Sequence, residues 1–480
     1  MTISKRRDSL LRLIVLIVLI VSCIFSRAVP FLNISLGRFL LTPRHTVLLL
    51  TALLCLGQAV YALCRRRFAP LVRGRSLSLA ALGFTVLWAG AALAWYLFGA
   101  DWGDTASSEL TGILELGLYA LCFLFLVRDR ADVRRGEVIL LTCGVVLSVM
   151  ADAEIVFGSF IAETAGNIPL SEKIALGRTL FPPSAVFTNT NDLAAFLLLC
   201  LCILLARILR RRPRRFTLPD GLMLLALLLP TPVMSSSIFQ IALVVLAGIL
   251  LVILIGLYRH RRKTLAGLCI GIPAALALYL VPFQRLVVKA GQALNSLYYA
   301  GVIRRAGGTG VDPNAAAKTD TIIDQFNTAA GGGGTIHIRM WLARVGGELF
   351  AQRPLFGGGP GGFRTFINAH PAYLQETRQI VDPHNYFVEL LSEYGLVVFL
   401  PFAALLISLL ARSIRRVAWE IRQDRPDTGV LCLLLTAAFL FAAVMPSSII
   451  RISPIWLPLL LACAACDHGT EAPSTPSPEV

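Results

Sequence analysis

Ser237–Leu257 reads SIFQIALVVLAGILLVILIGL, and Tyr258-Arg259-His260-Arg261-Arg262-Lys263 follows it directly. The run holds no charged residue. At 1.5 Å per residue a helix of this length covers about 30 Å, the thickness of a bilayer's hydrocarbon core. An apolar run that stops against a cluster of Arg and Lys is a membrane span anchored at one headgroup surface. The rest of the chain repeats the pattern. Apolar runs lie near 9–26, 46–64, 77–99, 109–127, 137–157, 192–209, 219–234, 237–257, 264–284, 385–411, 428–447 and 452–466. In hydrocarbon every backbone polar group needs an internal partner, so the runs are expected to be helices. No alternating ten-residue pattern of a membrane barrel is present. The expected fold is an all-α polytopic membrane protein of about 12 transmembrane helices. Residues 1–284 carry helices one to nine, 285–383 form a long loop, 384–466 carry helices ten to twelve, and 467–480 form a disordered tail rich in Pro, Ser and Glu.

Composition agrees. Of 480 residues 56% are hydrophobic and only 15% charged, with mean hydropathy +0.73. A disordered chain and an ordinary soluble enzyme are excluded. The formal net charge of +16 would fit nucleic acid, but its distribution points to membrane lipids instead. With the N-terminus in the cytoplasm, 28 of the 44 basic residues fall on cytoplasmic segments and six on short external ones, and the remaining ten lie in 285–383. The positive-inside rule then puts both termini in the cytoplasm and the long loop outside. Lys5, Arg6 and Arg7 precede a long run without a small-x-small cleavage site, so that segment is expected to be span one rather than a cleaved leader. The eleven cysteines lie in or beside spans and set up no external disulfide framework.

The loop carries most of the information. Residues 306–335 are low-complexity and read as a flexible insertion. Ile338, Trp341, Leu342, Val345 and Leu349 then recur at helical spacing, which predicts an amphipathic helix over 337–352, with Arg339 and Arg344 off its apolar stripe. Arg353-Pro354-Leu355-Phe356-Gly357-Gly358-Gly359-Pro360-Gly361-Gly362-Phe363 follows, either a tight turn or a loop that offers N–H groups to an anion through Gly357 and Gly359. Asp382-Pro383-His384-Asn385 opens span ten. Asn385, Glu389 and Glu393 then form one polar stripe running into the membrane, where ionisable groups usually face a bundle interior. Phe187-Thr188-Asn189-Thr190-Asn191-Asp192 opens span six, either as a helix cap or as an amide cluster facing a sugar. Glu115, Asp152 and Glu154 are further acids in the outer halves of spans, without metal-ligand spacing.

Three of these stretches resemble the O-antigen ligase and O-antigen polymerase superfamily of bacterial membrane glycosyltransferases. They are Arg339 followed by Pro354-Leu-Phe-Gly-x-Gly, His384-Asn385 followed after nine residues by Gly395, and Phe187-x-Asn189-x-Asn191 before a helix. The resemblance covers about 187–197 and 337–400. It implies a GT-C-like helical fold in the bacterial cytoplasmic membrane with its active site external. It also implies a glycan donor on undecaprenyl diphosphate, a glycan acceptor, no metal or other cofactor, and a role in surface polysaccharide biosynthesis. On it, Arg339 and His384 are the expected catalytic pair, with Arg339 on the diphosphate and His384 as general base. Asn385, Glu389, Arg344, Arg364, Asn189, Asn191, Gly357 and Gly359 are the expected substrate-binding residues. The chain departs from the pattern at Ser235-Ser236-Ser237, where many members carry Ser-Arg, and at Leu396-Val397-Val398, where the ligases usually continue with Thr and a basic residue. A second family arginine is therefore not assigned, and Arg178, Arg285 and Arg364 are its candidates. The competing reading is a lipid-linked glycan flippase or other transporter, which should show paired repeats and helices broken near the midplane.

Overall fold

The computed structural model describes residues 3–26, 33–36, 39–65, 74–99, 106–157, 183–187, 189–211, 217–234, 236–305, 334–450 and 452–468. The expected flexible insertion, apart from its last two residues, and the tail from 469 lie outside these.

The described chain is a helical bundle. Helix α1 (Ile3–Phe25) leads through a hairpin, β1 (Ile34–Leu36) paired antiparallel with β2 (Phe39–Leu41), into α2 (Pro43–Cys64). Then come α3 (Ser76–Phe98), α4 (Ala106–Leu126), α5 (Arg130–Phe157) and α6 (Thr190–Arg210). Next are α7 (Leu218–Leu228), α8 (Thr231–Met234), α9 (Ser237–Tyr258), α10 (Arg262–Leu278) and α11 (Gln284–Arg305). The last group is α12 (Gly334–Gln352), α13 (Gly362–Asn368), α14 (Pro371–Glu376), α15 (Tyr386–Arg422), α16 (Thr428–Ala442) and α17 (Ser453–Asp467). Nine helical stretches among the described residues are long and apolar enough to cross a bilayer, and Leu218–Met234, α16 and α17 are shorter apolar segments. The protein is a polytopic membrane protein.

α16 lies at the centre, packed on α6, α15 and α17, while α17 also covers α3, α4 and α5. Almost every residue of α16 and α17 is buried. The eleventh helix stops at Ala442 rather than near 447. Pro446 lacks an N–H and disfavours helix in the residue before it, so the chain turns. Residues 443–450 form that turn, mostly buried under neighbouring helices, which is where irregular backbone is tolerated inside a membrane protein. An aromatic cluster fixes the start of α15 below it. Trp88 of α3 meets Tyr386 at 6.0 Å, Tyr394 edge-on at 5.7 Å and Trp456 at 6.1 Å between ring centroids. Such pairs are worth ~0.5–1.5 kcal/mol each beyond their buried area.

One sequence expectation changes. Helix continues past residue 284 to Arg305, so the long connection begins as helix. Pro282 is accommodated by a π-helical turn, Tyr279–Phe283, whose wider spacing absorbs the missing N–H. Glu115 and Glu154 are structural. Glu115 accepts from Arg44 Nη2 (3.0 Å), His45 Nε2 (2.6 Å) and Ser453 Oγ (3.0 Å), tying α2, α4 and α17 together. Glu154 accepts from the Ser184 and Ala185 amides, both at 2.9 Å, and so holds the segment that leads into α6.

Candidate functional site

α12 lies across the start of α15. Ile338, Leu342, Val345 and Leu349 face inward onto Phe363, Ile367 and Val388, as the predicted stripe requires. This packing carries Arg339 to the neighbourhood of His384. Arg339 Nη1 donates to the His384 carbonyl (3.1 Å) and the Val444 carbonyl (2.5 Å), and Nη2 to the Met445 carbonyl (3.4 Å). A guanidinium has five donors, and these bonds to described residues use three of them. Burial pushes its pKa down from the ordinary arginine value.

His384 sits in the left-handed region, φ 49°, an uncommon backbone for a residue with a side chain. Its neighbours over-determine it. Its N–H donates to Ser447 O (3.1 Å), its carbonyl is held by Arg339, and the Tyr386 N–H donates to Ala443 O (2.9 Å). The imidazole makes no hydrogen bond to any described residue. Burial, with Arg339 beside it, pulls its pKa down to about 4 against a smaller opposing effect of Asp382. At neutral pH it is an uncharged imidazole with a free lone pair. Asp382 is ion-paired to Arg364 Nη2 at 2.6 Å, so Arg364 holds the approach to His384 and is not an unengaged second cation. Of the other candidates, Arg178 lies outside the described residues and Arg285 lies on α11.

The Phe187–Asn191 stretch reaches the same place. Asn189 caps α6, its side chain accepting from the Asn191 N–H (2.9 Å), and its Nδ2 donates to Ser447 Oγ (3.5 Å). Asn191 is half-buried on the first turn. The turn at 444–447 thus joins Arg339, His384 and Asn189. Sequence reasoning missed this turn. Its signal was Met445-Pro446-Ser447-Ser448, a proline and two hydroxyls inside an apolar run.

Several expected ligands have other work. The Asn385 side-chain oxygen caps α15, accepting from the Phe387 and Val388 amides at 3.0 and 3.4 Å. Substituting serine should therefore retain both fold and activity, while alanine should cost about 1 kcal/mol in thermal unfolding. A serine variant that folds normally but is inactive would show that the amide itself meets substrate. Arg344 is not brought to His384. It is largely exposed, pairs with Glu348 (3.1 Å) and lies over the Trp341 ring at 5.0 Å. Glu389 is buried within α15.

The glycine loop is also corrected. Gly357 N donates to Arg353 O, Gly358 N to Ser392 O and Gly359 N to Glu393 O, all at 2.8 Å, and Gly361 N to Glu109 Oε2 at 2.6 Å. With these amides engaged, Gly357 and Gly359 offer no anion cradle. Their partners explain the motif. α15 is broken at Gly395, with φ 63° and ψ −165°. Leu396 and Val397 would donate to Ser392 and Glu393 in an unbroken helix. They donate instead to Pro354 O (2.9 Å) and Leu355 O (3.1 Å), while Gly358 and Gly359 supply the two carbonyls left behind. The loop is spliced into the helix with those four backbone groups satisfied. Glu393 accepts from the Phe363 N–H (3.1 Å), and Trp95 Nε1 donates to Phe356 O (2.9 Å) over the loop.

Residues 227–403 match the family model described as O-antigen ligase. The matched segment contains Arg339, the glycine loop, His384 and Gly395, and the Phe187–Asn191 stretch lies before it. No curated protein matches the chain.

Proposed function

Taking residues 227–403 as a member of the O-antigen ligase family, we propose that the chain transfers or polymerises oligosaccharide units from undecaprenyl diphosphate at the outer face of the cytoplasmic membrane. The observation that carries this reading is the convergence of Arg339 and His384, both inside the matched segment, on the turn at 444–447.

The donor's glycosidic bond joins C1 to a diphosphate oxygen. As it breaks, negative charge grows on the leaving group. A guanidinium held in place by three carbonyls favours that charge in the transition state over the ground state. The acceptor hydroxyl attacks C1, and its proton passes to the neutral His384 imidazole. His384 then returns the proton to the departing lipid diphosphate. Arg364, through Asp382, fixes the segment that presents His384. Asn189 fixes the turn from the other side of the bundle.

The test is transfer by the purified full-length protein, reconstituted with a lipid-linked oligosaccharide and a glycan acceptor. The expected products are lengthened or transferred glycan and free undecaprenyl diphosphate in equal amounts. Movement of intact donor across the bilayer without release of lipid diphosphate would overturn the proposal in favour of a flippase.

A further inference from the structure

A second charged concavity lies at the other end of the bundle. α6 begins at the candidate site, where Asn189 touches Ser447, and ends at Arg210 after 21 residues, about 30 Å away along its axis. α15 also runs away from the site, from Tyr386 to Arg422, and α5 runs toward it, from Arg130 to the Glu154 that holds Ser184. The far ends of these three helices, with the turn after α15, border an open cavity of about 620 Å³. That volume is in the range of small-molecule sites, ~300–1,000 Å³.

Six arginines line it against three carboxylates, with Trp419 in its wall. Three of the six are accounted for. Arg210 pairs with Glu137, Arg130 with Asp427 (3.2 Å) and Arg211 with Asp220 (2.9 Å). Arg134, Arg207 and Arg425 form no ion pair and no side-chain hydrogen bond with any described residue. A topological anchor needs only basic residues near the headgroups. It does not need six guanidinia gathered around one hollow that holds only three carboxylates. An anion balances that excess of positive charge, and guanidinium forks match phosphate oxygens in pairs. The cavity's level, at the ends of three spans, is that of lipid headgroups.

We infer that this cavity binds a phosphate-bearing anion, at a site separate from the transfer centre. A lipid headgroup and a water-soluble diphosphate both supply that chemistry, and the experiment separates them. Full-length protein in a phosphate-free neutral detergent is titrated, by calorimetry, with phosphatidylglycerol in mixed micelles, with phosphatidylcholine micelles, and with pyrophosphate. The cavity variant Arg134→Gln/Arg207→Gln/Arg425→Gln is compared with Arg259→Gln/Arg261→Gln/Arg262→Gln. The second removes equal charge from the connection between α9 and α10 and the first residue of α10, outside the cavity.

The wild type is expected to bind phosphatidylglycerol or pyrophosphate and not phosphatidylcholine. The cavity variant should weaken that binding on the order of tenfold or more, and the loop variant about twofold at most. Response to phosphatidylglycerol alone assigns the site to a lipid headgroup, and response to pyrophosphate alone to a soluble ligand. No anion binding by the wild type, or equal weakening in the two variants, overturns the inference. If the cavity variant does not fold, the triple Arg→Lys variant replaces it. That variant keeps the charge and loses the forks, so unchanged binding by it would also overturn the inference.

Discussion

Alanine at position 395 should leave little folded protein in the membrane. Gly395 holds φ 63° and ψ −165°, a conformation essentially confined to glycine. A Cβ there would lie 2.4 Å from the Leu355 carbonyl oxygen and 2.7 Å from the Phe356 nitrogen. Neither atom can yield, because both belong to the loop that closes the helix break. Gly357 is the reciprocal position, with φ 68° and a Cβ 2.3 Å from the Glu393 carbonyl carbon. Backbone strain of ~1–3 kcal/mol combines with overpacking of ~1–3 kcal/mol. Displacing the loop would also strip partners from backbone groups inside the membrane, at several kcal/mol each. Strain and overpacking alone should cost Gly395→Ala and Gly357→Ala about 2–6 kcal/mol each, and lost backbone partners add to that, enough to unfold many proteins. Gly362→Ala, where a Cβ meets nothing within 4 Å, is the control and should be near neutral. Thermal unfolding in detergent and yield in the membrane fraction are the readouts. A Gly395→Ala protein as stable as the Gly362 control would refute the splice as a structural necessity.

This splice shows where sequence reading stops. The spans were legible because a bilayer imposes one length and one polarity on a helix, so Ser237–Leu257 declares itself without its neighbours. The helix over 337–352 was legible for the same local reason, through its apolar spacing. The glycine run and Gly395 were each visible as motifs, but that they pair was not. Their hydrogen bonds run backbone to backbone between segments some forty residues apart, and nothing in side-chain identity encodes that register. The same holds for Arg339. Its type and position were readable, but its three carbonyl partners lie in a turn over a hundred residues away or on a residue whose own backbone is unusual.

The break in α15 also bears on the transporter reading. Discontinuous helices in transporters leave free backbone groups to coordinate ions or substrate. Here Ser392 O, Glu393 O, Leu396 N and Val397 N all have partners in the 354–359 loop. The break is closed to solutes, and it acts to hold α12 and the start of α15 in fixed relation. That relation is what places Arg339 over His384. The geometry of the pair is therefore built by the glycines, and the pair's chemistry can be tested separately from its construction.

His384→Ala should lower transfer by ~10²–10⁴-fold with the protein still folded, the usual worth of a general base. The pH dependence is more discriminating. An ordinary histidine titrates near ~6.5, whereas burial and Arg339 hold His384 at about 4. In the proposed reaction the base is the neutral form, so activity should fall as pH drops through the folded-state pKa. For kcat/KM, which reports the free enzyme, the acid limb should lie near 4. The folded pKa is below the unfolded one, so the unfolded chain binds the proton first between about 6.5 and 4. This residue's contribution to stability is thus complete above about 6.5 and is lost as pH falls toward 4. Donor binding changes the balance. A diphosphate beside Arg339 places negative charge near the imidazole and opposes the effects that depress it, so the limb in kcat should sit at higher pH than the limb in kcat/KM. Arg339→Gln removes one of the two depressing causes and should move the kcat/KM limb upward as well as slowing transfer. A wild-type kcat/KM limb near 6.5, or a limb that ignores the substitution at 339, would dissociate the two residues and end the assignment of His384 as the base.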